Sequence, residues 1–110
     1  VSLEHLKQNN TAQAGDTLFL SKPLGVGILS TAQKQKKIAD EHAHIAVESM
    51  CRLNDLGEIL AELPGVNAMT DVTGFGLGGH LREVCEGSAV RAEIDYSALP
   101  LLPETLRYLR

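Results

Sequence analysis

The period of apolar and polar positions changes several times along the chain, and each change marks an element. Residues 1–16 open with spaced apolar positions (Val1, Leu3, Leu6) and run into Asn9-Asn10-Thr11-Ala12-Gln13-Ala14-Gly15-Asp16, a turn-forming stretch that reads as a connector. Thr17-Leu18-Phe19-Leu20-Ser21 is a short strand candidate closed by Lys22-Pro23. The spacing predicts a helix over 26–35, with Lys34, Lys36 and Lys37 at the negative end of its dipole. Ala43, Ala46, Val47, Met50 and Cys51 or Leu53 recur at helical spacing and predict a second helix over 41–53, capped by Asp40. Leu56, Ile59, Leu60 and Leu63 form the stripe of a third, capped by Asn54 and stopped by Pro64-Gly65. Residues 66–72 read as a strand, and a glycine-rich turn leads from it into a helix over 75–86 that Gly87-Ser88 ends. Residues 89–95 alternate with period two, the mark of a half-buried strand, and Pro103 opens a last helix.

This order predicts an α/β (α+β) fold: a small mixed β-sheet packed with helices, in which 66–72, 75–86 and 89–95 form a tight β-α-β unit. If those strands are parallel neighbours, the crossover is right-handed.

Composition narrows the function classes. The 110 residues carry 10 basic and 14 acidic side chains, a net charge of −4, which argues against broad binding to nucleic acid or an anionic membrane. Aromatics are 4% and Trp is absent, so stacking platforms for bases are not expected. No apolar run approaches the roughly 20 residues of a membrane span. Cys51 and Cys85 lack a CxxC partner, and His5, His42, His44 and His80 do not fall at zinc-finger spacings. Both thiols are expected to be buried or half-buried and free, in a cytoplasmic protein. The chain starts at Val1 rather than Met and stops at Arg110 inside a predicted helix, so a piece of a longer protein is expected.

One segment carries chemistry: Asp71-Val72-Thr73-Gly74-Phe75-Gly76-Leu77-Gly78-Gly79-His80, between a predicted strand and a predicted helix. Free N–H groups at a helix start bind phosphate where glycines let it approach. Gly74, Gly76 and Gly79 satisfy GxGxxG, and Asp95 lies where a dinucleotide-binding fold keeps its ribose carboxylate. Such a fold, however, places apolar strand residues directly before the first glycine, and here Asp71 and Thr73 stand there. A carboxylate beside a polyphosphate is repulsive unless a cation lies between them, so Asp71 implies Mg²⁺ and metal-bridged phosphate chemistry. Three other readings stay open. The glycines serve only close packing, with Asp71 or Thr73 capping the helix. The unit is a Rossmann-like dinucleotide binder using Gly74, Gly76, Gly79 and Asp95. Or the chain is a non-catalytic dimerisation module.

Weaker candidates are Lys22-Pro23-Leu24-Gly25-Val26-Gly27, a second glycine turn with a cation, and His80, for which packing is favoured over a role as base. His42 and His44, two apart on a helix, face different directions and make a poor metal pair.

The segment from Ala68-Met69-Thr70 through Asp71 to Leu81 resembles the corresponding motif of the selenide, water dikinase (selenophosphate synthetase) family. Asn10-Thr11-Ala12-Gln13-Ala14-Gly15-Asp16, Ser21-Lys22-Pro23-Leu24-Gly25-Val26-Gly27 and Thr31-Ala32-Gln33-Lys34 match the same family in order, so the resemblance spans nearly the whole chain. It belongs with aminoimidazole ribonucleotide synthetase-like enzymes, which pair an N-terminal and a C-terminal α/β domain. The resemblance implies an enzyme that makes selenophosphate from selenide, ATP and water, releasing AMP and phosphate, with Mg²⁺. It places Asp71 at the metal–ATP site and Thr73, Gly74 and Gly76 in the turn beside it. It makes residues 1–15 an interdomain connector and 16–110 a partial C-terminal α/β domain. The reactive Cys or Sec and its partner Lys belong to an N-terminal stretch, so no catalytic residue is expected here, and Cys51 and Cys85 do not match that position. Isolated, the chain is expected to be inactive; its partners are ATP, selenide, its own N-terminal domain and a second copy in a homodimer.

Overall fold

The computed structural model describes residues 3–109. Val1, Ser2 and Arg110, on which the expectation of a cut chain rests, lie outside the described residues. Five α-helices follow in order: α1 (Val26–Lys34), α2 (His44–Cys51), α3 (Leu56–Ala61), α4 (Gly76–Ser88) and α5 (Thr105–Tyr108). Short 3-10 turns stand at Leu3–His5, Asp40–His42 and Tyr96–Ala98.

The chain divides into two compact units, Val1–Phe19 with Asp55–Ile94, and Leu20–Asn54 with Asp95–Arg110. In the second, Leu29 of α1, Ala46 of α2 and Leu102 form the core, with Val26, Ile38, Ile45 and Tyr108 packed against it. Leu24 and Leu101 make an isolated parallel bridge: Leu24 N–H donates to Pro100 O at 2.9 Å and Leu102 N–H to Leu24 O at 2.8 Å. The bridge leads straight into Gly25, whose φ of +132° starts α1 in a conformation open to glycine and not to other residues.

In the first unit the segment after the opening 3-10 turn lies along residues 63–69. Lys7 Nζ donates to Leu63 O at 2.9 Å, Met69 N–H to Gln8 O at 3.0 Å and Thr11 Oγ1 to Asn67 O at 2.6 Å. Asn67 Nδ2 donates to Asp16 Oδ1 at 2.8 Å, and Ala12 N–H reaches Ser88 Oγ at the end of α4 at 3.0 Å. His80 and Val84 are the buried residues of α4.

The expected mixed β-sheet is absent: among the described residues there is no strand beyond the single-residue bridge. A strand exists through its ladder of hydrogen bonds to a neighbour, and residues 17–21, 66–72 and 89–95 find none among the described residues. The facing predicted by alternation survives without the ladder only over 90–93, where Val90 and Ala92 are half-buried and Arg91 and Glu93 exposed; Ile94, the next apolar position, is exposed. Over 17–21 even that is lost, with Leu18 and Phe19 both exposed. The predicted helix over 41–53 divides into the 3-10 turn and α2, and neither Asp40 nor Asn54 caps a helix through its side chain. Helix α4 passes through Gly87 and ends at Ala89, which takes the left-handed conformation at φ 55° and ψ 43°. Cys85 is half-buried and free as expected, whereas Cys51 is exposed.

Candidate functional site

The segment Asp71–Gly74 enters α4 through a tight turn. Gly76 N–H donates to Thr73 O at 2.9 Å, and Gly76 sits at φ +75°, a value that suits glycine. Phe75 is the N-cap residue, and among the described residues no side chain caps the helix. Neither Asp71 nor Thr73 therefore acts as the cap, and N–H groups of the first turn of α4 lack a side-chain acceptor. Asp71, Thr73 and Gly74 are exposed, and Gly76 is half-buried. Exposed glycines let an anion reach the backbone, and an exposed carboxylate next to them can take a hydrated cation.

Asp71 suits magnesium as a single hard oxygen ligand that leaves room for water. The described residues contain no group of three or more His, Cys, Asp or Glu able to hold a metal ion. Magnesium accepts this arrangement where phosphate oxygens, water and a carboxylate from elsewhere complete its shell.

A family model described as AIR synthase related protein, C-terminal domain, matches residues 13–109. The chain belongs to this family. Among curated proteins, it is 59% identical over 109 residues to the "Selenide, water dikinase" of Shewanella baltica strain OS155, covering 99% of this chain and 31% of that protein. It is 62% identical over 109 residues to the "Selenide, water dikinase" of Aeromonas hydrophila, covering 99% of this chain and 32% of that protein. The chain thus spans about a third of the length of the curated relatives it matches.

Within this AIR synthase related C-terminal domain the other candidates take plain structural positions. Lys22 Nζ donates to Ser49 O at 2.9 Å and Arg52 O at 3.0 Å, so its charge closes the carbonyl end of α2 instead of waiting for an anion. Gly74, Gly76 and Gly79 do not follow a ladder-bonded strand, which removes the setting a dinucleotide fingerprint needs. Asp95 spends its carboxylate locally, accepting from Ser97 Oγ at 2.6 Å and Ser97 N–H at 3.0 Å. Those two bonds hold its carboxyl below the usual carboxylate range.

His42 and His44 do part company: His42 is half-buried with Nδ1 2.7 Å from Tyr108 Oη, and His44 is exposed. Tyr108 Oη accepts from Ala39 N–H at 3.0 Å, which leaves the hydroxyl proton for His42 Nδ1. Two contacts were not legible in sequence. One is this His42–Tyr108 pair, 66 residues apart. The other is Thr73 Oγ1 to His80 Nε2 at 2.9 Å, whose only sequence signal is a histidine one turn into the helix that follows. No helix of the described residues is long and apolar enough to cross a membrane.

Proposed function

We propose that the chain is part of a selenide, water dikinase, the enzyme that makes selenophosphate from selenide, ATP and water and releases AMP and phosphate. The observation that carries this reading is identity of 59–62% along 99% of the chain to proteins of that name. The Asp71–Gly76 turn supports it independently, because an exposed carboxylate beside an uncapped helix start suits a cation-bound polyphosphate. Asp71 would supply one oxygen ligand to Mg²⁺, and N–H groups at the start of α4, with Thr73, Gly74 and Gly76 shaping the turn, would face ATP. Bound Mg²⁺ would neutralise charge on the phosphates. The partners are ATP, selenide, an N-terminal domain and a second copy in a homodimer. Free thiols at Cys51 and Cys85 suit the reducing cytoplasm.

The test is a chimera. In the Aeromonas hydrophila relative, the matching 109 residues are replaced by this chain, and selenide-dependent AMP formation from ATP is measured. AMP is expected; a folded chimera that forms none overturns the reading. Asp71→Asn in the chimera is expected to lower turnover at limiting Mg²⁺ by at least roughly ten-fold, with an unchanged melting temperature because the residue is exposed. The 110 residues alone are expected to form no AMP.

A further inference from the structure

The turn contains one enclosed polar side chain that the chemistry above leaves unused. His80 is 9% exposed, one of two buried polar residues in the described chain. Its Nε2 lies 2.9 Å from Thr73 Oγ1, and its Nδ1 lies 3.9 Å from Glu83 Oε2. The Phe75 ring tilts against the imidazole with centroids 5.8 Å apart. Thr73 is therefore held twice by α4: its carbonyl accepts from Gly76 N–H at 2.9 Å, and its hydroxyl meets His80. Without the imidazole only the backbone bond remains, and an exposed hydroxyl on a glycine-flanked turn rotates freely.

We propose that His80 is the positioning residue of this turn, acting through Thr73 and touching no substrate itself. The inference rests on the reading of the turn given under Proposed function. The bond between His80 Nε2 and Thr73 Oγ1 holds the Thr73 side chain in one rotamer, whichever of the two donates. With the Gly76 N–H bond to the Thr73 carbonyl, it fixes the segment between Asp71 and the first turn of α4. His80 thereby keeps the Asp71 carboxylate and the N–H groups of the helix start in one relation to each other, the relation a cation-bound phosphate needs.

The experiment uses the chimera defined above. His80→Phe is expected to lower kcat about ten-fold with little change in KM for ATP, because misplacement is felt in the reacting geometry. Thr73→Val is expected to lower kcat as much, and the double variant no further. His80→Gln, whose amide reaches the Nε2 position, restores most of the rate. A purely packing role for His80 would make its loss independent of Thr73, so the two losses would multiply in the double variant. Thr73→Val within about two-fold of the parent, or losses that multiply in the double variant, overturns the proposal. If His80→Phe fails to fold, the response of the His80 ¹⁵N signal to Thr73→Val carries the test. A second readout is the ¹⁵N resonance of His80 Nε2, which is expected to shift on Thr73→Val. A resonance indifferent to Thr73 refutes the hold. An unsubstituted chimera that folds and forms no AMP defeats the dikinase reading alone, and the ¹⁵N readout still decides the Thr73–His80 contact.

Discussion

Gly25→Ala tests the close approach that organises the second unit. Gly25 starts α1 at φ +132°, and a Cβ built there would run into the Thr105 side chain, overlapping Oγ1 and standing 3.0 Å from Cγ2 and 3.2 Å from Cβ. Thr105 is 2% exposed and cannot swing into solvent. Two costs add. Holding a non-glycine residue in that backbone region costs about 1–3 kcal/mol. Overpacking a buried contact costs about 1–3 kcal/mol more. The sum, about 2–6 kcal/mol, is a large share of the roughly 5–15 kcal/mol that holds a small domain folded. Tyr96 and Tyr108 both belong to the second unit and the chain has no Trp, so tyrosine fluorescence in a urea titration reports that unit. Thr105→Ala in the Gly25→Ala background removes Oγ1 and Cγ2 and is expected to recover the packing share, about 1–3 kcal/mol, leaving the backbone share in place. A Gly25→Ala protein within about 0.5 kcal/mol of the parent would refute the approach, and absence of coupling to Thr105 would refute its cause.

Three further outcomes are expected. Thr105 Oγ1 is buried with no hydrogen-bond partner among the described residues, so Thr105→Val should be neutral or stabilising by up to about 1 kcal/mol in the same titration; a loss above that would mean the hydroxyl is satisfied. Lys22→Met uncaps two carbonyls at the end of α2 and should cost about 1–2 kcal/mol, read as a lower urea midpoint, with faster amide exchange at the end of α2. The Ser97 bonds favour ionised Asp95, so their contribution is full above the unfolded carboxyl value of 3.8 and is lost as pH falls through the lower folded value. A carboxyl titration followed by NMR should give an Asp95 midpoint below 3.8, and one at or above it would contradict the Ser97 contacts.

Helices were readable where a local rule suffices. The stripe Leu56, Ile59, Leu60 and the glycine-led start of α4 appear near their predicted places because helical hydrogen bonds close within a few residues. Caps were less legible: Asp40 and Asn54 have the right chemistry, yet whether a side chain turns back to its helix depends on the path of the chain before it. The candidate site was legible as a list, Asp71 to His80, because glycines and a carboxylate before a helix have a local electrostatic meaning. The pairing inside that list was not, since Thr73 and His80 meet only once the turn at Gly76 brings them together.

The sequence by itself determined the family, the helical segments, the acidic charge and the residues of the glycine-rich turn. These depend on identity and near-neighbour spacing, which the order of residues already contains. Tertiary structure decided the rest. It left residues 66–72 and 89–95 without a ladder, because a strand depends on a partner that alternation cannot name. It turned Lys22 onto the carbonyl end of α2 and His80 onto Thr73, because a polar side chain goes to whichever group the fold brings within about 3 Å.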